Sequence, residues 1–500
     1  MPSPPSPSQR FQAGVRARKH LARSDHATLN HAACPHPSLD VLTKAEQGRL
    51  PDLLKLKHER MAASAFGFFR GAVPIMAADL AAHPNTGIVT QLCGDAHVLN
   101  LGAYASFDGR LVFDINDFDE TIRGPFEWDL KRLATSLILA GRAAKIPRPQ
   151  RNRAVRIFTE KYRAMMRQFA QMPVLDLARF QIHRITRIQP MKAIFEAAER
   201  ATLQRSVEKL TEPADKRGEK RRFRDERPTL WPINGVEERT VLASLEAYAQ
   251  SLLPERRHFF AQYHPVAVGF KVVGTGSVGL RDYCVYLESQ HLARGGRGKA
   301  MKRFTGPGSD PLFLQIKEEP ASAYAAYVEA SPDQPTHQGH RVVNGQRAMQ
   351  FTSDPFLGFT SIGESSYLVR QLNDHKAGLD ITTLDARSLH GYADLCGEVF
   401  ARGHARAGDP LTISAYLGES DKFDRAVDEF AHAYADKTEQ DWASFRVAMQ
   451  KDGTLDLRKS ARVEDGIAVS SRPVAISAGE DMATSVSTGK KKAATKGKRQ

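Results

Sequence analysis

Gly94-Asp95-Ala96-His97-Val98-Leu99-Asn100, followed after a short spacer by Ile115-Asn116-Asp117-Phe118-Asp119, sets carboxylates and an amide spaced as in a phosphotransferase active site. That reaction asks little covalent chemistry of a protein. It needs a carboxylate at the attacking hydroxyl and hard oxygen ligands for Mg²⁺. Asp95 is the candidate for the first role, and Asn100 and Asp117 are the candidates for the second. One amide and one carboxylate suffice, because Mg²⁺ keeps the rest of its shell for water and phosphate. The expected cofactors are therefore ATP and Mg²⁺. The competing reading is a turn-rich acidic hairpin whose aspartates only cap and solvate loops.

The flanking sequence favours the first reading. Residues 88–93 (IVTQLC) and 111–115 (LVFDI) read as short buried strands with a polar turn at Asp108-Gly109 between them, so the polar groups fall at strand ends and loops. Asp119, Glu120 and Asp129 add acids nearby. Gly124-Pro125 breaks the chain before a helical run that begins near Trp128.

GDAHVLN, INDFDE, the Gly-Pro pair and WDLKRLATS together resemble a bacterial domain-of-unknown-function family over most of residues 50–450. More distantly they resemble the aminoglycoside phosphotransferase and protein kinase superfamily. That resemblance implies Asp95 as the catalytic base and Asn100 and Asp117 as metal ligands. His97 matches the small-molecule kinase pattern better than the protein kinase one. Cys93 departs from it, since many relatives place His before the Gly-Asp pair.

A phosphate cradle is expected downstream, at Val272-Val273-Gly274-Thr275-Gly276-Ser277-Val278-Gly279. Glycines let backbone N–H groups approach phosphate oxygens closely. The same spacing marks dinucleotide-binding folds when a helix follows. Here Tyr283-Cys284-Val285-Tyr286-Leu287 reads as a strand, which favours a kinase-type flap. Pro311–Lys317 reads as another strand, and Lys317 resembles the phosphate-directed lysine on the third strand of kinase folds. Strands near 266–273, 283–288, 311–317 and 367–372 are expected to form one antiparallel sheet carrying nucleotide through Gly274, Gly276, Ser277, Gly279 and Lys317. A carboxylate partner for Lys317 on the following helix is not evident. Glu318 and Glu319 are too close in sequence, and Glu329 and Gln346 leave the role unassigned.

The expected fold is α+β, a kinase-like two-lobed architecture in circularly permuted order. A basic arm (1–25), flexible or a first helix, precedes the catalytic-loop part of a helical lobe (26–212). A charged linker or loop (213–228), a nucleotide-binding sheet lobe (229–380), helices completing the helical lobe (381–455) and a Lys-rich disordered tail (456–500) follow. Helical spacing over 387–406 and 421–450 fits this plan, with Phe423, Val427, Phe430, Tyr434, Trp442 and Phe445 expected in the core. Permutation is permissible because domain termini often lie close together.

Five hundred residues suffice for a sizeable core. No apolar run of about 18 residues suggests a membrane span. The N-terminus is Pro/Ser-rich with arginines rather than signal-like, so cytoplasmic residence is expected. Four scattered cysteines, Cys34, Cys93, Cys284 and Cys396, indicate neither a disulfide framework nor a zinc site. The formal charge of +14 sits partly in the terminal segments, which could contact nucleic acid or other anions nonspecifically. In His58–Gly71, Arg60 or Arg70 could hold phosphate, but the favoured reading buries Phe66, Phe68 and Phe69 and pairs the arginines with carboxylates. The functional expectation is a phosphotransferase acting on a small-molecule hydroxyl or amine. A kinase-like regulator without transfer, a nucleotidyl (AMP) transferase and, least favoured, a basic nucleic-acid-binding protein remain as alternatives.

Overall fold

The computed structural model describes residues 5–30, 37–106, 109–182, 190–215, 220–289, 291–293, 302–304, 310–329, 335–372 and 377–451. Cys34, the connection Asn373–Lys376, most of the basic loop at 291–304 and the tail from 456 onward lie outside them. The fold is α+β, with long helices in one body and a six-stranded antiparallel sheet beside it.

The helical body assembles from segments far apart in the chain. Arg148–Gln171 buries Val155, Phe158, Tyr162, Met166 and Phe169 along one stripe, the 3.6-residue periodicity of an amphipathic helix. Ala386–Ala407, capped by the Asp385 side chain at Ser388 N, lies along it. The approach is close because Gly397 has no side chain: a Cβ there would sit 2.5 Å from the Phe158 carbonyl oxygen. Glu127–Ala143 and Lys422–Lys451 complete the body, and Phe423, Val427, Phe430, Tyr434 and Phe445 are buried as expected.

In the sheet, the strands run in the order Gly358–Ile362, Ser365–Gln371, Pro311–Glu318, Asp282–Ser289, Tyr263–Lys271 and Leu230–Pro232. The two-residue alternation of a strand divides its faces. Val285, Leu314, Ile316 and Val369 pack with Val241, Leu245 and Tyr248 of the helix Gly235–Ser251. Cys284, Tyr286 and Phe313 pack the opposite way, against Val207, Leu210 and Phe223. Lys317 stands on the Phe313 side of its strand, opposite Asp282 of the neighbouring strand.

Two expectations about local structure are corrected, and the open reading of the basic arm is settled. The strands Val89–Leu92 and Leu111–Ile115 do not flank one turn: the first pairs with Ile122–Pro125, and the second with Leu101–Ala105. Leu101–Ala105 (LGAYA) has a composition poor in strand formers, and its pairing with Leu111–Ile115 overrides that propensity. Residues 7–20, within the expected basic arm, form a helix with a capping box at Ser6 and Gln9, held by Arg10 to Asp409 and by Arg18 to the Tyr416 carbonyl. The charged segment 213–228 contributes Arg221–Phe223 to a hairpin with Thr211–Pro213. Among the described residues no helix is long and apolar enough to cross a membrane.

One buried ion pair locks the Leu111–Ile115 hairpin to the later half of the chain. Arg402 of Ala386–Ala407 donates to Asp114 Oδ1, with side-chain exposures of 3% and 2%. Arg402→Met leaves that carboxylate buried without its cation, and denaturant unfolding should register a loss of about 3–5 kcal/mol.

Candidate functional site

The Asp95 loop starts from a backbone turn that only glycine permits. Gly94 has φ +83°, and a Cβ there would lie 2.1 Å from the Glu120 carbonyl oxygen. The Cys93 and Gly94 N–H groups donate to Asp129 Oδ2 and Oδ1 at 2.8 and 3.0 Å, fixing the loop to the first turn of Glu127–Ala143. His404 Nε2, 3.3 Å from Asp129 Oδ2, backs that carboxylate from Ala386–Ala407.

Asp95 is oriented by one of its oxygens. Arg132 Nε and Nη2 donate to Oδ1 at 2.8 and 2.5 Å, while Oδ2 lies 3.6 Å from His97 Nε2. The His97 Nδ1 accepts from Leu99 N at 3.1 Å, so its ring proton belongs on Nε2, facing Asp95. Burial, with Arg70 and Arg132 nearby, pulls the His97 pKa down to about 4 against the opposing pull of Asp95, leaving the imidazole neutral at neutral pH.

Asn100 joins the two motif segments. Its Nδ2 donates to the Asp95 carbonyl at 3.0 Å and to the Asp117 carbonyl at 2.9 Å. Both partners only accept, so the amide orientation is settled and Oδ1 points the other way. That oxygen is buried without a hydrogen-bond partner, and so are Asp117 Oδ1 and Asp119 Oδ1. Buried unsatisfied acceptors are costly, and hard oxygens are what Mg²⁺ takes. Among the described residues no group of three or more His, Cys, Asp or Glu side chains is arranged to hold a metal. Asn100 and Asp117 are the residues of this segment whose oxygens could hold an ion that completes its shell from phosphate and water.

Lys317 reaches this cluster from the sheet. Its Nζ donates to Asp119 Oδ2 and lies 3.9 Å from Asp117 Oδ2. Burial opposes the ammonium, but Asp117 and Asp119 hold its pKa above the ordinary lysine value. Burial would raise the Asp119 carboxyl, yet Lys317 and the hydrogen bond from Asp117 keep it down to about 2. Asp117 moves up, from burial and from its neighbour Asp119. The carboxylate partner of Lys317 thus comes from the Asp95–Asp119 segment, 198 residues earlier. Gln346 instead donates to Gln350, and Glu329 is exposed. The helix after the lysine strand, Gln338–Met349, supplies Arg341, which donates to the Asp119, Thr121 and Pro320 carbonyls. Sequence reasoning had placed Asp119 only as a further acid, and nothing local to either segment reveals so distant a pairing.

The glycine loop is a strand–loop–strand turn between Tyr263–Lys271 and Asp282–Ser289. Gly274 and Gly279 have φ of +73° and +95°, conformations that side chains disfavour. The contacts that hold the loop are accepted by its carbonyls. Arg60 donates to Gly274, Arg49 Nη1 to Val278 at 2.6 Å and Leu50 N to Gly279 at 2.8 Å, while the Ser277 hydroxyl closes on Val273. Gly276 differs from these two. A Cβ there would meet nothing nearer than the Arg70 carbonyl oxygen at 3.5 Å. No hydrogen bond among the described residues joins Gly274–Gly279 to Asp95, Asn100 or Asp117, and the Arg70 backbone stands beside the loop.

Asp282, across from Lys317, accepts from Gln315 Nε2 at 2.7 Å, and burial raises its pKa to about 7 despite the lysine. A raised pKa means that the folded state binds the proton more tightly than the unfolded chain. Stability from this group is therefore present below about pH 4 and lost as pH rises to 7. Asp282→Asn keeps an acceptor for Gln315 and removes the ionisation. Its urea midpoint relative to wild type should climb between pH 4 and pH 7 and level off above, whereas an offset constant across that range contradicts the assignment.

No curated protein and no solved structure matches the chain. A family model described as an uncharacterized protein conserved in bacteria, DUF2252, matches residues 49–448, a span that holds the Asp95 loop, the glycine loop and Lys317. The chain belongs to this bacterial family.

Proposed function

We propose that the protein is an ATP- and Mg²⁺-dependent phosphotransferase of kinase-like type, acting on a hydroxyl or amine of a small molecule in the cytoplasm. The observation that carries the reading is the junction at Asn100, whose amide ties Asp95 to Asp117: Asn100 Oδ1 and Asp117 Oδ1 are both buried without a hydrogen bond, and Asp117 has Arg370 Nη1 3.7 Å from Oδ1 and Lys317 Nζ 3.9 Å from Oδ2. An oxygen-ligated divalent ion and the phosphates it carries would satisfy these groups together.

The order of elements supports it. A glycine loop between two strands, a lysine on the next long strand and a helix after that follow the kinase pattern, here placed downstream of the catalytic loop. Permutation accounts for that order, because helices from both ends of the family region share one core.

Asn100 and Asp117 would hold Mg²⁺, which supplies charge neutralisation at the phosphates. Gly274, Gly276, Ser277 and Gly279 would offer backbone N–H groups to phosphate oxygens, and Lys317 would add a point charge. Asp95 Oδ2, free of Arg132, would take the acceptor's proton as the acceptor oxygen bonds to the γ-phosphorus. The bond from that phosphorus to the β–γ bridging oxygen would break, and ADP would leave with the electron pair. Arg132 on Oδ1 serves orientation, keeping the accepting oxygen turned outward.

Titration calorimetry with Mg²⁺ and ATP, paired with phosphate transfer to a panel of metabolites, tests this. Asp95→Asn should retain ATP binding while transfer falls by about 10²–10⁴-fold. Asp117→Asn should lose the Mg²⁺ dependence of binding along with transfer. Binding without transfer to any acceptor would turn the assignment to a nucleotide-binding regulator, and absence of ATP binding would remove it.

The glycine loop offers a separate check. Gly276→Ala introduces a methyl that meets only ordinary contacts, so its melting temperature should match wild type. ATP affinity should nevertheless drop about tenfold or more, the scale of one lost hydrogen bond to a charged group.

A further inference from the structure

Among the described residues around this site, Arg70 is the arginine that the fold leaves uncommitted. Among its neighbours, Arg132 is spent on Asp95, Arg370 on Gln315 and the Asn116 carbonyl, Arg341 on three carbonyls, Arg60 on Gly274 and Arg49 on Val278. Among the described residues, the Arg70 guanidinium makes no hydrogen bond and no ion pair, and its Nε is buried without an acceptor. The expectation that it pairs with a carboxylate is not met. An enclosed donor on a permanent cation is expensive, and each such group calls for an explanation.

Its placement supplies one. Arg70 ends the short helix Ala65–Gly71, which Ser64 caps at Gly67 N and which Phe66, Phe68 and Phe69 bury. The carbonyl of Phe69 accepts from Arg132 Nη2 at 3.1 Å, and that nitrogen is also bonded to Asp95 Oδ1. The Arg132 guanidinium lies 4.3 Å over the Phe69 ring. The backbone that carries Arg70 is thereby tied to the proposed base. On its other side the Arg70 carbonyl oxygen lies 3.5 Å from the position of a Gly276 Cβ. Burial lowers the pKa of its guanidinium, while the Asp95 and Asp117 carboxylates nearby favour its charged form.

We infer that Arg70 binds the terminal phosphate of the nucleotide, a cation supplied from within the chain between the glycine loop and Asp95. This rests on the phosphotransferase reading and goes beyond it, by assigning a catalytic group on a helix that precedes the catalytic loop. A guanidinium makes paired hydrogen bonds to phosphate oxygens, and charge there builds during transfer. The group meets the phosphate that ATP has and ADP lacks.

The test is Mg²⁺-dependent binding of ATP and ADP to the full chain, wild type against Arg70→Met and Arg70→Lys. Arg70→Met should weaken ATP binding by about tenfold or more, the scale of one hydrogen bond to a charged group, and leave ADP affinity within about twofold. Transfer should fall by about 10³-fold, as on loss of an arginine that stabilises the transferred phosphoryl group. Arg70→Lys keeps the charge without the fork and should recover part of the ATP preference. Retained ADP binding reports a folded site, and if Arg70→Met does not fold, Arg70→Lys decides by the same ratio. A wild-type protein that prefers ATP, with variants that prefer it equally, overturns the role of Arg70 and leaves the phosphotransferase reading standing. A wild-type protein that binds neither nucleotide overturns both.

Discussion

The buried contact of Lys317 with Asp119 and Asp117 is the constraint on which the rest of the site depends. Lys317 is almost wholly enclosed, and its partners sit on a segment 198 residues away. A charge removed from water persists only when it is paired, so the sheet cannot shift against the Asp95–Asp119 segment without exposing an unmatched ammonium. The excess of carboxylates resolves within the same cluster. Asp119 takes the lysine and is held ionised, Asp117 is pushed up, and Glu319, buried with neither oxygen partnered, moves well above the ordinary glutamate value because of burial and Asp119. Negative charge is therefore concentrated where the lysine and Arg370 can reach it.

Two small residues convert that long-range contact into local geometry. Gly94 permits the turn that lets Asp129 seize two successive N–H groups, and Asn100 fastens Asp95 to Asp117 through their carbonyls. In Asn100, structure and proposed chemistry are one arrangement. Both amide donors go to backbone carbonyls, which leaves Oδ1 as the buried oxygen proposed to hold the ion. An oxygen fixed this way would need no reorganisation on binding the proposed ion, which is the condition for precise placement on a rigid scaffold.

The elements legible in the sequence were those whose signal is local. Aromatic and β-branched residues with glycine punctuation marked strands near 266–273, 283–288, 311–317 and 367–372 as one sheet, and the loop between the first two as a strand–loop–strand turn, as they stand in the fold. The buried aromatics of Lys422–Lys451 followed from helical spacing. Partners across the chain were not legible. Asp119 as the counter-ion of Lys317, Arg402 on Asp114 and His404 behind Asp129 are pairings between segments whose own patterns carry no trace of one another. The same holds for Leu101–Ala105, which is a strand only because Leu111–Ile115 offers it a register.

Arg60 and Arg70 show why residue type alone misjudged this region. Both lie in helices with buried faces, where arginines commonly pair with acids, yet neither makes an ion pair among the described residues. Arg60 goes to a carbonyl of the glycine loop, and Arg70 is held beside that loop with no acceptor for its Nε. The family match begins at Arg49, the first residue along the chain to donate to the loop. Arg49, Leu50 and Arg60, just before and within the helix Pro51–Ala62, fasten the loop by its carbonyls, and the backbone of Ala65–Gly71 stands beside it. A glycine loop anchored in this way presents a fixed backbone to whatever it binds. Adjustment to a ligand then falls to side chains, foremost to the guanidinium that the fold has not already used.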